Sequence, residues 1–173
     1  KVEGETSPAD LRKQLQQGNS YAEPRVRVRP IKAIKGVLPS GMIEFYGTIG
    51  TTGEYSKPSD DNTIDSVHPS ALRGSCARQD FVKNSLMVIF LSKDGKGYRP
   101  LDYPFARSLE DVSSENSLWV KTIQTYLPVQ SLKTDAERVK ALQAKRTALL
   151  AQPDRMSPLI ADDIGYQFSA ISQ

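Results

Sequence analysis

The most hydrophobic segment of the chain runs from Leu86 to Leu91 and is apolar at every position. A short run rich in branched and aromatic residues is typical of a β-strand buried on both faces rather than of a helix. The Asp94-Gly95 pair beyond it supplies the positive φ angles of a tight turn. We therefore expect Gly97 to Leu101 to return antiparallel to this strand, and other elements to pack on it.

A second pattern lies between Arg25 and Arg29, where arginine and valine alternate strictly. It predicts a strand whose valines face the core and whose three arginines face solvent about 6.5–7 Å apart. Pro30 would interrupt a central ladder, so an edge strand or a bulge is expected. We expect the strand to continue over residues 31–36 and to form a hairpin with a second strand over residues 42–46.

Helices are predicted by capping sequences and by apolar residues at helical spacing. They are expected to begin at Ser7, near Trp119, at Thr134 and at Ser157. Pro128 and Pro153 are expected to end the second and third of these helices. Residues 1–6 are polar and are expected to be frayed. Residues 47–75 lack clear periodicity, and loops of such length are typically functional or disordered.

Strand patterns before about residue 105 and helix patterns after it predict an α+β protein. We expect an OB-like antiparallel β-barrel or curled sheet of about five strands, followed by two or three helices. The predicted first domain covers residues 1–130 and includes the N-terminal helix and a packed helix over residues 117–127. The predicted second domain is a helical C-terminal extension at residues 131–173.

Residues 21–101 resemble netrin-like domains, the OB-type barrels shared with tissue inhibitors of metalloproteinases. The resemblance rests on the Ile-Lys-Ala-Ile-Lys-Gly segment from Ile31, on Cys76, and on Phe81-x-x-Asn84 before a buried strand. It implies a small closed or partly open barrel and a periplasmic or extracellular location. Those domains have several disulfides, and the inhibitors place an N-terminal cysteine on the metal. This chain begins with Lys1, so the inhibitory mechanism does not transfer.

Composition excludes several classes of protein. No apolar run approaches the roughly 20 residues of a membrane helix, so no membrane span is predicted. The formal net charge is +3, which indicates nucleic-acid binding only if the basic residues cluster. One cysteine permits no intramolecular disulfide, and one histidine with one cysteine cannot build a His/Cys metal cage.

No catalytic constellation emerges from the remaining candidates. His68 lies in an irregular segment and is expected to be solvated, and Cys76 is expected to be a small buried residue rather than a nucleophile. Glu110 and Asp111 are interpreted as the first turn of a helix capped by Ser108. We therefore predict no enzyme activity, no catalytic residue and no cofactor.

Two loop segments contain residue types found in ligand sites. Asp60, Asp61, Asn62 and Asp65 supply oxygen ligands, but their spacing fits no calcium-loop pattern, so a solvated loop and no metal are predicted. The glycines from Gly47 to Gly53 lack the Lys-Ser/Thr of a phosphate-binding loop.

The arginine strand is the strongest functional signal. Its predicted ligand-binding residues are Arg25, Arg27, Arg29, Lys32 and Tyr46, with Phe45, Tyr46 or Tyr55 as stacking platforms. The predicted function is a non-enzymatic, exported binding or accessory module that recognises a protein or polymer partner. The alternative is a nucleic-acid or polyanion binder through the three arginines. The competing structural explanation is an edge strand that its charges protect from aggregation.

Overall fold

The computed structural model describes residues 1–18, 23–51, 53, 57–60, 62–72, 77–95, 97–101 and 106–171 of the chain. The fold is α+β, as predicted, and by contacts the chain divides into two compact units. The first comprises residues 1–60 and 67–113, and the second comprises residues 61–66 and 114–173.

The first unit holds every strand in the described part of the chain. They are β1 (Val2–Glu5), β2 (Arg25–Val28), β3 (Ile43–Tyr46), β4 (Thr48–Ile49), β5 (Asp80–Phe81), β6 (Leu86–Ile89), β7 (Leu91–Asp94), β8 (Gly97–Pro100) and β9 (Leu109–Val112). Helix α1 (Pro8–Gln16) follows β1 and begins where predicted, with the Ser7 hydroxyl accepting a hydrogen bond from the Asp10 amide at 3.1 Å.

Strands β1, β2 and β3 form an antiparallel sheet in which β2 is central. Of the two expected alternatives, the edge strand is therefore wrong, whereas the pairing of β1 with β2 does contain an irregularity of register, between Val2 and Gly4. Pro30 lies beyond the last residue of β2 and removes no ladder bond from it. The predicted hairpin with β3 is confirmed, with Val28 opposite Ile43. The predicted continuation over residues 31–36 is wrong, since residues 29–42 connect the two strands without strand structure.

The first strand was missed because its sequence carries no clear alternation. Residues 1–6 were expected to be frayed, yet Val2 is completely buried. Its amide donates to the Ser85 carbonyl at 3.1 Å, and its carbonyl accepts from the Asn84 amide at 3.0 Å. Tertiary contacts with β2 and with this distant turn therefore order β1.

The apolar run from Leu86 to Leu91 is shared between two strand pairs. β6 pairs antiparallel with β9, and β7 pairs antiparallel with β8. The predicted antiparallel hairpin thus joins β7 to β8 and holds for only the end of the run. Asp94 is the last residue of β7, and neither Asp94 nor Gly95 has the predicted positive φ angle. Met87 and Val88 point to opposite faces of β6 and are both buried. Burial on both faces is confirmed there, while Phe90 is half-buried.

One apolar core joins the sheets of the first unit, although the described strands form separate open sheets and a closed barrel is not seen. The buried residues of this core are Val2, Val26, Val28, Ile43, Phe45, Phe81, Met87 and Leu109. β4 and β5, which are paired in parallel, contribute Phe81, whose ring meets Phe45 edge-on at 5.2 Å between centroids. This core fixes which face of β2 remains outside.

The second unit contains the helices α2 (Leu118–Gln130), α3 (Asp135–Leu150) and α4 (Met156–Ile171). Their shared core contains Leu118, Val129, Leu142, Ile160 and Ile164. The capping box predicted at Thr134 is present, with hydrogen bonds in both directions between Thr134 and Glu137. Pro128 lies inside α2 rather than ending it. The division by contacts places α2 with α3 and α4, whereas the sequence analysis placed it in the first domain.

Candidate functional site

The outer surface of the β2–β3 pair carries three of the predicted binding residues, Arg25, Arg27 and Tyr46. Arg25 and Arg27 are exposed, while Val26 and Val28 between and beyond them are buried. Across the ladder Tyr46 lies opposite Arg25. Directly opposite residues on a sheet have Cβ atoms about 4.5–5.5 Å apart, so these two side chains are neighbours. We call Arg25, Arg27, Arg29 and Tyr46 the arginine face.

Acidic residues border this face on both sides. Arg29 Nε donates to Glu3 Oε1 at 3.1 Å, and the Arg29 side chain is 64% exposed. Glu44 stands opposite Arg27 in the register of β2 and β3 and is exposed. Among the described residues, neither Arg25 nor Arg27 forms an ion pair with a carboxylate. The face therefore keeps two exposed guanidinium groups beside an aromatic ring that is 45% exposed.

Lys32 does not lie on the predicted strand but on the loop from Arg29 to Met42 that joins β2 to β3, where it is exposed. We call residues 29–42 the connecting loop. Because the strand ends at Val28, the alternation of β2 does not fix the direction of the Lys32 side chain. The structure thus brings Arg25, Arg27 and Tyr46 together and leaves Lys32 on the neighbouring loop.

Of the other two proposed stacking residues, Phe45 does not lie on the arginine face. Phe45 is one of the residues of β3 whose side chains face the core, so it is buried, and its ring contacts Phe81. Tyr55 lies outside the described residues, as does Cys76. Tyr46 alone among the three predicted platforms is confirmed as an exposed ring.

A buried ionic cluster, which sequence analysis missed, lies elsewhere in the first unit. The Arg78 guanidinium is ion-paired with Asp111 Oδ2, and both side chains are almost wholly buried, at 3% and 2% exposed. Its remaining donors reach Ser59 Oγ at 3.1 Å, the Leu109 carbonyl at 3.0 Å and the Asp80 carbonyl at 2.9 Å. The guanidinium also stacks over Phe81, 4.8 Å from the ring centroid. Each guanidinium nitrogen thus has a partner, as a buried charge requires.

Asp111 also binds the segment around Ser59. The Ser59 amide donates to Asp111 Oδ2 at 3.2 Å, and the Asp111 amide donates to Ser59 Oγ at 3.2 Å. The interpretation of Glu110 and Asp111 as a helix start is therefore wrong, since both lie in β9. Both residues pair with residues of β6 that lie 20 or more positions away in the sequence. This long-range pairing decides their structure, and a local capping pattern does not reveal it.

Glu110 lies on the opposite face of β9 from Asp111 because adjacent strand residues alternate. Its Oε2 is 3.7 Å from Arg107 Nη2, and both side chains are largely buried. The Glu110 and Asp111 carboxylates therefore do not converge. Each instead neutralises its own buried arginine.

His68 belongs to the same region and is 1% exposed, so the expectation that it is solvated is wrong. The Ser70 amide donates to Nδ1 at 3.2 Å, which assigns the proton to Nε2, and Nε2 donates to the Lys57 carbonyl at 3.0 Å. Burial, and secondarily the positive charge of Arg78, lower the pKa of His68 below its ordinary value. A neutral, buried imidazole with both nitrogens engaged fixes loop segments and is not accessible to a substrate.

Other candidate sites find no support in the described residues. There, no group of three or more His, Cys, Asp and Glu side chains is arranged to hold a metal ion. Asp65 is exposed, and Asp61 lies outside the described residues. Among the described helices, none combines the length and hydropathy needed to cross a bilayer.

Comparisons with protein-family models, with curated proteins and with solved structures gave no match for this chain.

Proposed function

We propose that the protein is a non-enzymatic binding module that recognises a polyanionic partner through the arginine face. The observation that carries this proposal is the pairing of Arg25 with Tyr46 on the exposed side of a central strand. A guanidinium binds phosphate or sulfate oxygens with charge-assisted hydrogen bonds, and an adjacent exposed ring stacks on bases or sugars.

The support beneath this face is rigid. Val26 and Val28 are buried in the apolar core, and β2 has hydrogen-bonded neighbours on both sides. A preorganised strand loses little conformational entropy when a partner binds, and the i, i+2 spacing of its side chains is fixed. Arg25 and Arg27 are therefore held as a spaced pair of cations.

Protection of an edge strand from aggregation does not explain these arginines, because β2 is not an edge strand. A central strand has no unpaired ladder groups that charges need to protect. Glu44 and Glu3 reduce the positive charge of the face, and they leave Arg25 and its neighbour Tyr46 as its centre. A protein partner with an acidic surface is the second candidate, since it would use the same two arginines.

We keep the OB-like, netrin-like kinship of the first unit and an exported location as hypotheses. The antiparallel strands around one apolar core support the former. A binding role for an OB-type strand surface also agrees with the polyanion proposal.

The proposal is tested by binding of fluorescent heparin and a single-stranded oligonucleotide at several salt concentrations. We expect Arg25→Gln/Arg27→Gln to weaken binding and to lower the slope of log affinity against log salt by about two, one for each lost contact. The matched control is Arg12→Gln/Lys13→Gln on α1, which removes the same charge from exposed positions in the same unit. Equal losses in the two variants would show that only net charge matters and would contradict the proposal.

A further inference from the structure

The connecting loop exposes an unusual amount of apolar surface beside the arginine face. Four of its large apolar side chains are exposed, namely Ile31, Val37, Leu38 and Met42. Val37, next to Gly36 in the middle of the loop, is 81% exposed, and Gly36 adopts a φ of +79°. Apolar side chains clustered in one exposed loop mark an interaction site more often than scattered ones do.

Within the sequence of this hairpin, every charged residue before Glu44 is basic. From Arg25 to Ile43 the sequence contains Arg25, Arg27, Arg29, Lys32 and Lys35 and no Asp or Glu. Lys32 and Lys35 are both exposed on the connecting loop itself. The cations therefore occupy the first part of the hairpin, up to Lys35, and the exposed apolar residues Val37, Leu38 and Met42 follow them before Glu44.

A partner must satisfy both features. A soluble polyanion complements the cations but leaves Val37 and Leu38 in water. An anionic bilayer complements both, because its phosphate-bearing surface attracts Lys and Arg, and the boundary with its acyl chains accepts apolar side chains. The connecting loop joins two paired strands, with Val28 opposite Ile43 at its base, and its exposed apolar side chains can enter such a surface without a spanning helix.

On the basis of the polyanion-binding function proposed above, we propose that the polyanionic partner is an anionic lipid surface and that the connecting loop inserts Val37 and Leu38 into it. The arginine face and the loop lysines then contact lipid phosphates. Insertion is shallow, since the loop carries apolar side chains only between charged ones.

The test uses the full chain and sedimentation with vesicles of phosphatidylcholine alone or of phosphatidylcholine mixed with phosphatidylglycerol. We expect binding only to the anionic vesicles. Val37→Ser/Leu38→Ser leaves the charge unchanged and is expected to lower partitioning at least about tenfold. The matched control is Leu72→Ser/Leu150→Ser, which alters two exposed leucines outside the loop and is expected to bind as the unaltered protein does.

Insertion itself is measured with Val37→Trp. We expect its emission to shift to the blue on anionic vesicles and to be quenched by brominated acyl chains, while a tryptophan at Leu72 shows neither effect. Absence of both effects at position 37, or equal vesicle binding by the Val37/Leu38 variant and its control, overturns the insertion proposal.

The outcomes also separate the two proposals. Heparin binding that depends on Arg25 and Arg27, without binding to anionic vesicles, overturns the lipid proposal and leaves the polyanion-binding function standing. Binding to neither heparin nor anionic vesicles overturns both. Binding of the loop to another protein in solution, without binding to vesicles, also contradicts the lipid proposal.

Discussion

The first unit uses arginine in two opposite ways. Arg78 is buried, and its donors are taken up by a carboxylate, a hydroxyl and two carbonyls. Arg25 and Arg27 lie on the exposed side of β2, and neither forms an ion pair with a carboxylate among the described residues. A buried guanidinium requires its partners because water does not solvate it, whereas an exposed one is satisfied by water until a ligand replaces that water. The first arrangement therefore stabilises the fold, and the second is available for binding.

The largest expected effect comes from breaking the buried pair. Arg78→Met should lower the free energy of unfolding by about 3–5 kcal/mol, because Asp111 would remain buried without its cation. Arg27→Met is the exposed counterpart and should change it by less than about 1 kcal/mol. Urea denaturation followed by far-UV circular dichroism measures both.

A double variant makes the same comparison sharper. Arg78→Met/Asp111→Leu removes both charges and should recover part of the lost stability, since no unpaired charge is left inside. If Arg78→Met alone proved as mild as Arg27→Met, the buried pair would not be what holds residues around Ser59 to β9.

The pH dependence of stability tests the same buried region through His68. The folded-state pKa lies below the unfolded value near 6.5, so the unfolded chain takes up the proton first as the pH falls. The contribution of His68 to the free energy of unfolding is therefore fully present above pH 6.5. It decreases as the pH falls below 6.5, by up to about 1.4 kcal/mol per pH unit.

Denaturation curves between neutral pH and the folded-state pKa measure this slope. His68→Gln keeps a donor for the Lys57 carbonyl but does not titrate, so its stability should fall less over that interval. Asp111 and Glu110 act on His68 in the opposite direction to Arg78. A slope in His68→Gln equal to that of the unaltered protein would assign the pH dependence to groups other than His68.

What the sequence could and could not predict follows the same division. The alternation from Arg25 to Arg29 and the Thr134 capping box are local, and local physics decided both. β9 was missed because Leu-Glu-Asp-Val shows no alternation, and the buried Asp111 carboxylate is paired with Arg78, which lies 33 residues away in the sequence. No local pattern links Arg78 to Asp111, so the buried cluster could not be predicted from spacing.

The exposed residues should contribute little to stability, even together. Replacing Arg25, Arg27 and Arg29 by Gln should change the free energy of unfolding by about 1 kcal/mol or less, because exposed charges contribute little individually. The same variant should lose polyanion binding and its salt dependence. A substantial loss of stability in this variant would place the arginines in the structural class with Arg78.

The smallest expected effect concerns Arg29, which stands between the two classes because it is exposed and yet paired with Glu3. A double-mutant cycle with Arg29→Gln and Glu3→Gln should give a coupling energy of about 0.2–0.5 kcal/mol that disappears at high salt. The Glu3 carboxylate competes with a ligand for the Arg29 guanidinium. Glu3→Gln should therefore strengthen polyanion binding, while Arg29→Gln should weaken it. A stronger coupling would mean that Arg29 mainly fastens β1 to the sheet, and the binding face would then consist of Arg25, Arg27 and Tyr46 alone.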